Sequence, residues 1–299
     1  MRLLRRIASE VLGEDLARKV WGRVEIIGDI AVIRKPPDIN LDVLKPLAEE
    51  LLNRIKYVKS VWVAVTPVAG EYRIRQYVHL AGERRSVTLY KEHGCVFKID
   101  ITKVYVSPVL NYEHGRVAKD VRPGEYVINM FAGAGLFSII MAKLSKPRKV
   151  VSIDINPDAY ELMVENVRLN KVENIVEPVL GDACELVKGM EGIADRVLMP
   201  LPKLSLECLP QAVRSLKNSG VIHVYEFTTA RSKAEAIDNV KREFSRKLDE
   251  LGVPWSFKFA RVVRSVGPRY YQVVLDILIS RPAGASSAPS HASSCPPRG

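Results

Sequence analysis

The sequence predicts an α/β protein: a Rossmann-like, doubly wound sheet with an antiparallel C-terminal hairpin, preceded by a small α+β domain. Three observations carry this. From about residue 126 onward, apolar strand-like runs alternate with segments of helical periodicity, the pattern of β-α units in a mostly parallel sheet. The last two strand-like runs, 257–266 and 270–279, flank the turn Val266-Gly267-Pro268, which predicts a hairpin at a sheet edge. Before residue 107, by contrast, most strand-like runs pair around short turns.

Each element follows from its own residues. Over 1–22, Leu3, Leu4, Ile7, Val11, Leu12 and Leu16 recur at helical spacing. Residues 24–33 read as a strand or hairpin with Gly28-Asp29 at its turn, and Asn40 is placed to cap a helix ending near residue 55. Strands follow over 60–65 and 72–80, then a hairpin over 88–90 and 96–101 around His93-Gly94. A short helix over 108–118 leads into the turn Arg122-Pro123-Gly124. Beyond it, strands are predicted at 126–130, 150–155, 175–180, 195–199 and 221–227. Helices are predicted at 136–143, 157–169, 204–216 and 232–251. The domains expected are 1–106 and 107–280, with a Ser/Ala/Pro/Gly-rich tail at 281–299 that cannot bury a core.

The 299 residues are 47% hydrophobic and 26% charged, an ordinary globular mixture. No run of about 18 apolar residues appears, which argues against a membrane span. The basic N-terminus resembles the start of a signal peptide, but Glu10, Glu14 and Asp15 interrupt any apolar core; an amphipathic helix in a cytoplasmic, monomeric protein is expected. Cys95, Cys184, Cys208 and Cys295 have neither zinc-site nor disulfide-framework spacing, and Cys184 and Cys208 read as buried thiols. The formal net charge of +11 suits a polyanionic partner.

The strand at 126–130 runs into Phe131-Ala132-Gly133-Ala134-Gly135 and then a helix. Glycines there let backbone approach a ligand, and the helix start offers free N–H groups. Asp154 ends the next strand, followed by Ile155, and can accept both ribose hydroxyls of a nucleoside. Asp182, followed by Ala183, ends the third and suits an adenine amino group. NAD would favour a third glycine where Ser138 stands. A nucleoside cofactor without a pyrophosphate, S-adenosylmethionine, is therefore expected, on the sheet of class I methyltransferases, with NAD as the competitor.

Several ordered segments together resemble the archaeal and eukaryotic tRNA (guanine-37-N1)-methyltransferase family, which includes wyosine-pathway members. They are Tyr72-Arg73-Ile74-Arg75, Glu92 to Asp100, Val104-Tyr105-Val106-Ser107-Pro108, Tyr112 to Val117, Met130 to Gly135, Glu165 to Asn170, and Asp195 to Met199. The likeness spans roughly residues 25–280. The resemblance implies tRNA methylation at position 37, with Glu113 as general base for guanine N1 and Arg73 opposite O6, where negative charge develops. Unaided, the residues leave alternatives open: Glu113 as a helix carboxylate paired with Arg116 or Lys119, and Arg75 in place of Arg73. His93 reads as a turn residue.

After the fourth strand comes Pro200-Leu201-Pro202, where the resembled family usually has Asn-Leu-Pro. Proline supplies a carbonyl but no side-chain donor. That predicts a less strictly guanine-shaped pocket and dual use: N1 of guanosine and C7 of 4-demethylwyosine. Arg75, Arg84, Lys98 and Arg116, with tyrosines interleaved, are expected to contact the tRNA anticodon stem-loop. The family's additional N-terminal module, which grips the tRNA body, is expected to be missing. Magnesium aids N1-methylation in the family, but no residue marks a site. Aminocarboxypropyl transfer from the same cofactor, and a non-catalytic RNA-binding scaffold, are the competing expectations.

Overall fold

The computed structural model describes residues 3–68, 70 and 72–280. The N-terminal part is a four-stranded sheet of β1 (Glu25–Ile27), β2 (Ile30–Arg34), β3 (Ser60–Ala64) and β4 (Tyr77–Gly82), in that order. β1 and β2 form the expected hairpin. β2 and β3 run parallel, joined through the helix Leu41–Arg54, and β4 is antiparallel to β3. Asn40 caps that helix by accepting a hydrogen bond from the Asp42 N–H. Leu44, Leu47, Ala48 and Leu51 on its buried stripe share a core with Leu4 and Ile7. The single helix expected over 1–22 is two, Leu3–Leu12 and Glu14–Lys19. They break at Gly13, whose φ of 82° lies outside helical geometry.

β5 (Val87–Glu92) and β6 (Cys95–Asp100) form the predicted hairpin, turning at His93 and Gly94, both at positive φ. The prediction assigned this hairpin to the first domain. Instead, Phe97 and Ile99 are buried in one core with Val117, Phe137 and Val167. Its outer edge is also fastened by side chains of the helix Pro157–Leu169 and the residue after it. Asn170 accepts from the Val96 N–H and donates to the Val96 carbonyl, at 3.0 and 2.7 Å. Asn166 does the same at Lys98, at 2.6 and 3.1 Å, and also donates to the Ala134 carbonyl at 3.0 Å. Two amides thus stand in for a neighbouring strand, satisfying groups that burial would otherwise penalise. The same core also holds Ile27, Ile30 and Val32 of the first sheet, so the hairpin packs between the two parts.

The second sheet has seven strands: β7 (Tyr126–Asn129), β8 (Lys149–Asp154), β9 (Val176–Leu180), β10 (Ala194–Met199), β11 (Leu216–Thr229), β12 (Trp255–Gly267) and β13 (Tyr270–Ser280). Their order is β12-β13-β11-β10-β7-β8-β9. All neighbours are parallel except β13, which is antiparallel to both β11 and β12. The order reverses between β7 and β10, so a crevice opens at the C-terminal ends of the central strands. Ser138 is buried and takes hydrogen bonds from Asn129 and Ser152, tying its helix to β7 and β8. The helix expected over 204–216 is two short ones, Leu204–Glu207 and Leu209–Ser215, and β11 begins five residues before the predicted strand. The tail expected over 281–299 lies outside the described residues.

The cysteine expectation is corrected. Cys184 and Cys208 form a disulfide, with Cα atoms 5.4 Å apart. Their 24-residue separation carries no hint of this; the crossover between β9 and β11 brings them together, within the reach of a disulfide. The bond joins the segment after β9 to the one after β10. Cys95 is a buried free thiol.

Two stability outcomes follow. Asn166→Ala should lower the unfolding free energy in urea by about 2–4 kcal/mol, because it strands buried backbone groups at Lys98 and Ala134. Reducing Cys184–Cys208 should cost roughly 2–4 kcal/mol, read from urea midpoints with and without reductant.

Candidate active site

A cleft of about 1150 Å³ lies over the C-terminal ends of β7, β8, β9 and β10 and reaches the N-terminal sheet. Its floor is the glycine turn. Gly133 and Gly135 are both at positive φ, which a side chain tolerates poorly. Gly135 caps the helix Leu136–Ser145 in the left-handed region. A Cβ there would also press on Met163 and Ile139.

Asp154 braces this turn. Its Oδ2 accepts from the Gly133 N–H at 2.6 Å and its Oδ1 from the Asn156 N–H at 3.0 Å. Burial raises its carboxyl above the usual range, and these two bonds only partly offset that. Asp182 is exposed and caps the short helix Ala183–Leu186. Phe131, Ala132, Gly133, Asp154, Ile155, Asp182 and Ala183 all line the one cleft. Gly135 lies behind them in the turn. The donor set fits S-adenosylmethionine: two acids at neighbouring strand ends for hydroxyl and amino donors, and a glycine turn with no phosphate cradle.

The opposite wall comes from β10, β11 and the C-terminal hairpin. Pro200 lines it with Leu201, Pro202 and Lys203. The loop is held from below. Glu226 accepts from the Lys203 N–H through both oxygens at 2.9 Å, and Ser205 donates to the Met199 and Leu201 carbonyls. Lys203 is bent to a φ of 78°. Burial raises the Glu226 carboxyl, which its backbone N–H partners counter. Phe227 and Tyr270 stack at 5.4 Å between ring centres, and both line the cleft. Arg264, also on the wall, is braced by Gln272, Ser107 and Tyr105. Glu226, Arg264 and the stacked pair went unread in the sequence, because the pairing of β11 with β10 and the antiparallel return of β12 and β13 bring them to the site.

The expected catalytic and RNA-contacting residues divide. Arg73 lines the cleft at a φ of 56°, and its guanidinium meets no acid among the described residues. Arg75 lines it too but is tied to Glu25 at 3.3 Å. Arg84 is exposed, and Lys98 is half-buried and paired with Glu165. Arg116, expected on RNA, is largely turned inward, bound to Asp276 and Glu113 and stacked on Phe259. Burial opposes its charge, and the two carboxylates more than restore it.

Glu113 is fully buried and is not part of the cleft wall. Its Oε2 accepts from Arg116 at 2.9 Å and from the Tyr225 hydroxyl at 3.3 Å, while Arg261 stands 3.4 Å from Oε1. The ion pair with Arg116, the alternative its spacing allowed, is therefore present, but buried rather than solvated. His93 sits in its turn as expected, its Nε2–H donating to the Asn111 carbonyl at 2.8 Å. Among the described residues no helix is long and apolar enough to cross a membrane, and no cluster of acidic, histidine and cysteine side chains could hold a metal.

Residues 88–253 match the TRM5/TYW2 methyltransferase domain, and residues 4–85 the TYW2 N-terminal domain. The two matches meet just before β5. The chain is 42% identical over 258 residues to the tRNA 4-demethylwyosine(37)-methyltransferase Taw21 of Saccharolobus solfataricus, covering 86% of this chain and 94% of that one. Among solved structures it resembles Trm5b from Pyrococcus abyssi, with a TM-score of 0.79, 37% identity, and coverage of 89% of this chain and 78% of that one. It also resembles aTrm5 in its complex with tRNALeu, with a TM-score of 0.80, 32% identity, and coverage of 93% and 78%. The glycine turn, the paired acids and the reversed strand order thus have a family: the chain belongs to the TRM5/TYW2 methyltransferases and depends on S-adenosylmethionine.

Proposed function

We propose that this enzyme methylates the base at position 37 of tRNA, and that its preferred acceptor is the tricyclic 4-demethylwyosine, at C7. The observation that carries the reading is Pro200 on the cleft wall. A guanine whose N1 is to be methylated gains from a side-chain donor and acceptor at that point; proline offers a carbonyl only. The flanking Leu201 and Pro202, with the stacked Phe227 and Tyr270, give this wall an apolar face beside Lys203 and Arg264. Such a wall suits three fused rings better than a polar guanine edge. The relative named for 4-demethylwyosine, similar over 94% of its own length, supports the same acceptor.

In this reading Asp154 and Asp182 hold the cofactor's nucleoside against the glycine turn, and the cofactor supplies an electrophilic methyl group. Arg73, free of any acid among the described residues, faces the charge that gathers on the acceptor's oxygen. Tyr72, exposed at the cleft mouth, stacks on an unpaired loop base, and Arg84 and Lys98 meet the anticodon stem-loop phosphates. Glu113 supports the site from beneath by holding Arg116 and Arg261. N1 of guanosine is the second reading, favoured by the unpaired Arg73.

Nucleoside mass spectrometry of tRNA incubated with enzyme and S-adenosylmethionine tests this. With tRNA bearing either base, one methyl group should appear on the tricyclic base faster than on guanosine. An aminocarboxypropyl group on the product, or no transfer to the tricyclic base, would overturn the reading. Pro200→Asn should move the preference towards guanosine by about 10-fold or more in kcat/KM, the scale of one polar contact. Asp154→Ala should weaken cofactor binding roughly 10–100-fold by calorimetry, as expected for lost bonds to a charged group.

A further inference from the structure

The cleft is divided by charge. The acids on its wall, Asp154, Asp182, Glu185 and Glu207, all come from the segment 154–207. The part before residue 86 contributes Arg34, Lys35, Arg73 and Arg75 to the wall, and no acid among the described residues. A polyanion entering from that side meets cations of fixed position.

An exposed indole stands among them. Trp21 lies between the helix Glu14–Lys19 and β1, is 48% exposed and lines the cleft. Its neighbour Val20 is buried, so the chain is anchored at this point while the ring is not covered.

The ring is braced from one side. The Arg34 guanidinium stands 5.7 Å from the ring centre, a cation–π contact. Arg34 donates to Glu25 Oε1 at 3.0 Å, and Arg75 to Glu25 Oε2 at 3.3 Å. The Glu25 side chain is only 11% exposed. Burial opposes its ionisation, but Arg75 and Arg34 outweigh that and hold the carboxyl below its ordinary range. One carboxylate therefore fixes two guanidiniums: Arg34 at Trp21, and Arg75 at 5.9 Å from the ring centre of Tyr105. The trio keeps a net positive charge. Lys35 adds another, since its ammonium donates to the Pro36 and Pro37 carbonyls and meets no acid among the described residues.

An aromatic ring beside fixed cations is suited to an unpaired base and its phosphate. Chemistry on a base also requires that base to leave its stack. The base next to it then loses a stacking partner, and an indole on the cleft wall offers a replacement. We propose that Trp21, braced by Arg34, is a binding site for an unpaired base adjacent to the acceptor base in the anticodon loop. The proposal rests on the reading of methyl transfer to base 37. Trp21 binds RNA and touches no reacting atom; Glu25 is a positioning residue that acts through the two arginines.

The test uses the full chain and tRNA bearing the acceptor base, intact or with an abasic nucleotide at position 36 or 38. Trp21→Ala should weaken binding of intact tRNA about 5–100-fold, the scale of one lost stack, with S-adenosylmethionine affinity by calorimetry unchanged. Trp21→Phe should recover most of the loss, and Trp21→Leu should not. At one of the two positions, Trp21→Ala combined with the abasic nucleotide should cost no more than the abasic nucleotide alone, because both remove the same contact. 2-Aminopurine at that position should be quenched on binding wild type and stay bright on Trp21→Leu. Should Trp21→Ala fail to fold, Trp21→Leu and the 2-aminopurine signal decide. Additive losses at both positions, or tRNA affinity of Trp21→Ala within twofold of wild type, would overturn this site alone. Wild type that transfers no methyl group to base 37 of any such tRNA would overturn the reading beneath it, and the site with it.

Discussion

The side-chain amides of Asn166 and Asn170 are the constraint on which the rest of the site depends. A two-stranded hairpin has a free edge on each side, and alone it is marginal. Here the two amides close one edge of β6 at Val96 and Lys98, and Asn166 reaches on to the glycine turn at Ala134. One buried side chain therefore sets the hairpin, the cofactor turn and the helix Pro157–Leu169 in a single register. Glu92, at the end of β5, inherits its position from that hairpin, and His114 inherits its orientation from Glu92.

A second network lies deeper and is charged. Arg116 joins Glu113 to Asp276, His223 joins Asp276 to Arg196, and Arg196 closes on Asp120 and Glu125. Burial opposes the ionisation of Asp276, but His223 and Arg116 outweigh it and keep the carboxyl well below its ordinary range. That depression is worth stability at neutral pH and is lost as acid protonates the group. Buried charges of this kind are costly to leave unpaired, so the network holds the helix Asn111–Asp120 against β11 and β13 in one arrangement. Glu113, the carboxylate that the resemblance points to as a base, stands at one end of this network. Its neighbour His114 lines the cleft, and the two differ in which side of one helix they occupy.

Much of the fold was legible because it rests on local physics. Pro157 and its cap Asn156 mark the start of a helix whose bounds match the prediction at both ends, and Ser232 caps the helix Lys233–Glu250 in the same way. Periodicity identified β7 to β10 and the final hairpin within a residue or two. It missed the break at Gly13 and the short helix after Asp182, where one residue's φ or a four-residue turn decides the matter. Contacts between distant segments were not legible at all: the Cys184–Cys208 bond, the Glu226 clamp under Lys203, and Arg116 turned inward to Asp276.

By itself, the sequence determined the alternating α/β plan, the glycine turn, the two strand-end acids and the Pro200-Leu201-Pro202 loop after the fourth strand, since each is a statement about neighbouring residues. Only the tertiary structure decided which side chains face the cleft. Glu113 and His114 stand side by side in the chain, Arg73 and Arg75 two apart, and no local rule separates them. Burial and ion pairing do so, through partners such as Glu92, Glu25 and Asp276 that approach from elsewhere in the chain.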